Sequence, residues 1–161
     1  MNVNPNDEYL RPFVGMVAAR VGDQAPWNPE VGAYQLVSQS WAALAVKMHS
    51  YVFITRDDYA TSSDFDAYTK TCVDWALKHY AGLPRGFQKG VAIYPVLLQA
   101  RANPDAVAYT KQKPDAHWAA FALPTLVDLT TGAVEYLDST PVWGFAMWKG
   151  VKKTAQQLLG R

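Results

Sequence analysis

The chain has 161 residues, half of them apolar and 18% charged, with 15 basic against 14 acidic side chains. That length and composition predict one globular domain, 1–161, with its own core, and they exclude a disordered chain. A net charge of +1 without a basic stripe argues against a dedicated nucleic-acid binder.

The single cysteine, Cys72, rules out an internal disulfide and suits a reducing compartment. The first nine residues carry Asp7 and Glu8 but no Lys or Arg, and the apolar stretch Phe13 to Ala19 is short. A secretory leader needs the opposite charge and normally a longer run, so the expected location is cytoplasmic. The longest uncharged stretch, Val31 to Val46, contains Gln35, Ser38, Gln39 and Ser40 and is too short and polar to span a bilayer. Six Trp, nine Tyr and six Phe exceed the obvious needs of a small core. They fill either a large aromatic core or a pocket or subunit contact.

In chain order, residues 1–33 show no clear period and read as an irregular arm or extra layer on a core of 34–161. Phe13 to Ala19 is a strand or a short helix, and Gln24 to Pro29 is a loop on its prolines. From Tyr34 to Met48, Tyr34, Val37, Trp41, Leu44, Ala45 and Met48 recur at helical spacing, and the alanine content favours a helix. The rival is a hairpin, with Ala42–Val46 and Tyr51–Thr55 flanking a turn at His49-Ser50. Tyr51 to Thr55 reads as a strand. The clearest element is a helix over 64–81, capped by Ser63, with Asp64 and Asp66 in its first turn. Gly82 stands at its left-handed exit and Pro84 prevents continuation.

Two apolar runs carry a proline in the middle: Val91 to Leu98 with Pro95, and Ala119 to Val127 with Pro124. Proline cannot donate to a ladder, so each run is expected to be an edge, a bulge or a kink, and to mark where a sheet opens. Between them Pro104 to Lys111 suits a short helix capped by Asn103. Leu129 to Gly132 is a turn, Ala133 to Asp138 an antiparallel partner strand, and Trp143 to Leu159 a helix weakened by Gly150. The order implies an α/β (or α+β) fold, a mixed and mostly parallel sheet of 3–5 strands with a C-terminal β-hairpin and helices packed on it. Strands 51–55 and 91–98 are expected side by side and parallel, joined through helix 64–81.

The best candidate site in the sequence is the loop Leu83 to Gly90. Its two glycines allow close backbone approach, and Arg85, Gln88 and Lys89 supply donors for a small anionic ligand. The ordinary alternative is a helix-to-strand connection with solvated cations. It lacks the spacing of a phosphate loop. Arg56-Asp57-Asp58 leaves strand 51–55 at a carboxyl end, where α/β proteins bind ligands; otherwise it is a solvated turn. His117 opens a strand beside a loop cluster and is the histidine nearest a role. The three histidines share no zinc spacing, no glycine-flanked nucleophile serine is present, and no glutamate has a lysine two residues on, as restriction-type nuclease chemistry needs. Cys72 lacks a base within reach along its helix, since His79 is seven residues on, about 10.5 Å.

These residues call for no cofactor, metal or membrane partner. The expectation is an accessory, non-catalytic protein forming a homo-oligomer. The alternative is a small-molecule or metal-assisted enzyme whose site joins the 56–58 turn, the 84–90 loop and His117. Residues 139–148 hold Trp143, Phe145 and Trp148 without a charge, which suits either core or self-association.

Overall fold

A computed structural model describes residues 3–41, 47–80, 89–114, 120–142 and 144–160. In chain order the elements are α1 (Leu10–Val21), β1 (Trp27–Asn28), β2 (Ala33–Trp41), β3 (Lys47–Arg56), α2 (Ser62–His79), β4 (Lys89–Gln99), α3 (Pro104–Thr110), β5 (Ala120–Ala122), β6 (Thr125–Asp128), β7 (Val134–Glu135) and α4 (Phe145–Leu159). All seven strands share one sheet in the order β1-β2-β3-β4-β6-β7, with β5 also on β4. The mixed α/β architecture agrees with the sequence reading, but the sheet has more strands than expected. Parallel pairing is confined to β3–β4, β4–β5 and β4–β6, while β1–β2, β2–β3 and β6–β7 are antiparallel.

The sheet alternates faces because successive strand side chains point opposite ways. Val52 and Ile54 of β3, with Ala92, Tyr94, Val96 and Leu98 of β4, pack against α1 and α4. Tyr51 and Phe53, with Val91, Ile93 and Leu97, pack against α2 and α3. The molecule is therefore three layers, with helices on both faces. Tyr51, Phe53, Phe65, Tyr68, Tyr94, Phe121 and Trp148 are all buried, so much of the aromatic surplus is core.

The expected helix over 34–48 does not form. Ala33–Trp41 is a strand, paired from Tyr34 to Trp41 with Ile54 to Lys47. The hairpin alternative is right in kind but displaced. His49 and Ser50 lie inside β3 opposite Gln39 and Ser38 instead of forming a turn, and residues 42–46 lie outside the described residues. The helical spacing was real, but cross-strand pairing of Tyr34, Val37 and their neighbours outweighs a weak local preference. Residues 10–21 become a helix layered with α4, and Arg20 donates to the carbonyls of Leu158 at 3.0 Å and Gly160 at 2.6 Å. Helix 64–81 starts earlier than expected, with Thr61 and Asp64 forming a reciprocal capping box in place of a Ser63 cap. Gly82 lies outside the described residues. Asn103 and Pro104 begin α3 as the sequence implies. Gly144, which starts α4, has φ 64°, and a Cβ there would meet the Phe121 ring at 2.7 Å.

Pro95 corrects the proline rule. It lies not at an edge but midway along β4, opposite Phe53, with neighbours on both sides. Parallel ladders send the backbone groups of alternate residues to alternate neighbours. Odd residues of β4 face β5 and β6, as the bond from Leu123 N–H to Ile93 C=O at 2.9 Å shows; even residues face β3. The register places Pro95 level with Pro124, between the pairs Ile93–Ala122 and Val96–Thr125. The donor missing from Pro95 is thus the one that would bond the Leu123 carbonyl. The Thr125 hydroxyl takes its place at 3.0 Å, in a fully buried position.

Thr125→Val should therefore cost about 1–2 kcal/mol, because it strands a buried carbonyl. In a Pro95→Val background, which restores an N–H, the same change should cost much less. Urea unfolding of the four proteins checks this; strictly additive costs would show that the hydroxyl does not substitute for the ladder bond.

Candidate functional site

Of the segments that the enzyme alternative joins, the 56–58 turn and Lys89, near the end of the 84–90 loop and within the described residues, lie at opposite ends of the sheet. Lys89 pairs with Lys47 where the β3–β4 ladder begins, and Arg56 pairs with Leu98 where it ends. The nine steps from Lys47 to Arg56 span about 30 Å. The reason is directional: a helix that joins parallel strands hands the chain to the amino end of the next strand, opposite the carboxyl end it left. Arg85, Gln88 and His117 lie outside the described residues.

At the carboxyl rim the Arg56-Asp57-Asp58 turn is an internal clasp. Arg56 grips Asp58 through two parallel bonds, Nε to Oδ1 at 3.1 Å and Nη2 to Oδ2 at 3.0 Å. Its third arm reaches Asp7 Oδ1 at 3.0 Å, and the Tyr9 ring lies against the guanidinium. Asp58 also accepts from Ala100 N–H, and Asp57 accepts from Tyr59 N–H. The Arg56 guanidinium holds the Asp58 carboxyl below the usual carboxylate range. Burial pushes Asp7 up, but the backbone N–H groups of Leu10 and Tyr9, with Arg56, outweigh it and leave it lowered. Asp128 is likewise consumed, by the N–H groups of Ala102, Thr130 and Thr131. The strand order does not reverse between β3, β4 and β6, so no topological switch point lies at this rim, and the opening of about 340 Å³ found there is bordered by the clasp residues Asp7, Arg56, Asp57 and Asp58. Among the described residues no three His, Cys, Asp or Glu side chains are grouped to hold a metal ion.

Cys72 is fully buried and burial pushes its thiol far up, so it packs as a small apolar residue. No helix among the described residues is long and apolar enough to cross a membrane.

The candidate site lies instead on the α2–α3 face, where the paired prolines part β5 from β6. A cleft of about 390 Å³ opens there, with Val73, Pro124 and Leu137 among its apolar walls. One stripe of α2 borders it: Asp66, Thr69, Lys70, Val73 and Asp74, spaced as i, i+3, i+4, i+7 and i+8. Across it Tyr109 of α3 donates to Asp66 at 3.2 Å and packs on Phe65 at 5.0 Å between centroids. Lys70 holds Asp66 at 2.6 Å and depresses its acidity range, with Tyr109 contributing. Thr69 is only 7% exposed, and its hydroxyl is buried without a hydrogen-bond partner among the described residues. Sequence reasoning did not single out this stripe, which lies beside the one of Phe65, Tyr68, Cys72 and Ala76 that faces the sheet. The available signal was a threonine and a valine one turn apart, flanked by opposite charges.

No protein-family model, curated protein or solved structure matches the chain.

The clasp makes a prediction about acid. Both lowered carboxylates stabilise the fold at neutral pH, and that contribution is lost as the pH falls below the ordinary value of 3.8 and through the lowered ones. Arg56→Met should cost about 1–2 kcal/mol at neutral pH, the modest end for charged bonds because the carboxylates are one-third exposed. The gap from the parent should close in acid. Urea unfolding at both pH values measures it, and an equal gap at each would show that the ion pairs contribute nothing.

Proposed function

We propose that the protein is an accessory protein that binds a small molecule in the cleft between α2, α3 and the β5–β6 break. The make-up of the cleft carries this reading: apolar walls with polar side chains at the border, among them Thr69, Thr110 and Gln112. The volume, about 390 Å³, suits a compact molecule. Apolar walls favour an apolar body, and Thr69, Thr110 and Gln112 favour a polar end. Two acidic and two basic side chains border the cleft, so it has no net positive charge to favour the anionic ligand suggested by the sequence.

Phenol and indole, each an apolar ring with one hydrogen-bonding group, are suitable probes. Titrated into labelled protein, they should shift the amide signals of Thr69, Val73, Tyr109 and Thr110 saturably. Ala122→Leu, which grows into the cleft, should weaken both. Shifts scattered over other faces, or none, would overturn the reading.

Self-association is a second reading, supported by Val142 and Phe145, which are 94% and 50% exposed at the entry to α4. Sedimentation velocity should then show an oligomer that Val142→Asp dissociates; a parent that stays monomeric at high concentration would dismiss it.

A further inference from the structure

We infer that the ligand of the α2–α3 cleft is a short extended peptide with an apolar side chain, held as an added strand on the outer edge of β5. This rests on the reading of the cleft as a binding site and names its ligand chemistry.

The hydrogen bonds show which way that edge points. From β5 into β6, odd residues turn their backbone groups toward β4: Leu123 N–H bonds the Ile93 carbonyl and Leu129 N–H the Gln99 carbonyl, both at 2.9 Å. Even residues turn away, as Asp128 N–H does to the Ala133 carbonyl at 3.0 Å. The pairs Ile93–Ala122 and Val96–Thr125 are three residues apart on both strands, so this alternation runs through Pro124 without a bulge. Ala122 thus presents its N–H and C=O, and Pro124 its C=O, away from β4. There β7 pairs only with Leu126 and Val127, and no described residue bonds these three groups.

The cleft lies on that side. Ala122 and Pro124 border it together with Leu137, two residues past the end of β7. The Ala122 side chain packs on the α2 face of the sheet, and Val73 of α2 lines the same opening. A backbone donor and acceptors along one wall, under an apolar roof, match an extended main chain, the chemistry of strand addition to a sheet edge. A ligand residue opposite Ala122 and antiparallel to it would donate its N–H to the Ala122 carbonyl and accept from the Ala122 N–H. Its side chain would share the face of Ala122, toward Val73. Because β7 occupies the edge from Leu126 onward, only a few ligand residues fit.

The test joins hydrogen exchange to amide-signal titration. In the free protein the Ala122 amide should exchange at least about tenfold faster than that of Leu123, which bonds β4. N-Acetyl-L-leucine N-methylamide should bind saturably and slow the Ala122 amide. Its analogue with both amide nitrogens methylated should bind about tenfold more weakly, a difference of about 1.4 kcal/mol. Ala122→Pro removes a donor that no ladder bond uses; it should hold indole as the parent does and lose the preference for the unmethylated peptide. Should that variant fail to fold, the methylated analogue on the parent decides. The strand-addition proposal falls, and the cleft reading stands, if indole enters but the analogue binds as well as the peptide. It falls equally if Ala122 exchanges as slowly as Leu123 in the free protein, or if bound peptide leaves Ala122 exchange unchanged. If neither indole nor the peptide enters, the cleft reading falls with it.

Discussion

The structure turns on one missing hydrogen bond. Pro95 sits in the central strand with no N–H to give, at the level where its neighbour carries Pro124. A proline in such a place normally forces a strand to the edge of its sheet. Here the lost bond falls on the side of the short strands, so the long β3–β4 ladder is untouched and β4 runs unbroken from Lys89 to Gln99. The disruption is passed to the neighbour, which splits into β5 and β6. Thr125 satisfies the carbonyl left over, from a site that water cannot reach. A threonine one residue past a proline thereby allows a central strand to contain a residue that central strands reject.

This arrangement also decides where the molecule has room. Sequential strand order leaves the carboxyl rim without a topological switch point. The polar groups of Arg56, Gln99 and Asp128 at that rim go to nearby backbone and carboxylates. Gln99, fully buried, donates to the carbonyls of Asp57 and Ala60 and accepts from Asn103 N–H. Side chains so fully committed hold loops in place and have little left for a ligand. Space remains on the flank, where the sheet parts at Pro124 and the seven-residue α3 is too short to cover the gap.

Much of this was legible in the residues. Helix α2, the cap at Asn103, the parallel pairing of 51–55 with 91–98 and the closing hairpin all follow from local signals that tertiary packing reinforces. The helix expected over 34–48 misled because β2 packs on both faces, Tyr34 on one and Val37 on the other, so its apolar residues need not alternate and only pairing with β3 decides. The site was harder to read. Arg56 and Asp58 looked free in part because two of their partners, Asp7 and Ala100, are far away in sequence. Lys89 looked near them because proximity along a crossover says nothing about which end of the sheet a loop occupies. The prolines were read correctly as a place where the sheet opens. What could not be read was that the opening lies beside β4 rather than in it.

The same break links stability to the proposed site in a way that constrains any variant of either. Ala122 ends β5 and Pro124 stands in the break before Thr125 begins β6, and both border the cleft. Sealing the gap with a continuous ladder would require a donor at 95 and an unbroken strand at 123–124, and would draw the cleft wall onto the sheet. Keeping the gap leaves an interior edge whose polar groups must be satisfied one by one. Leu123 is satisfied on both sides, its N–H by Ile93 and its carbonyl by Thr125. The Thr69 hydroxyl on α2 has no hydrogen-bond partner among the described residues, and its oxygen is itself shut off from solvent. In a fold that satisfies so awkward a carbonyl from within, what the opening presents is its apolar wall and its border of polar side chains.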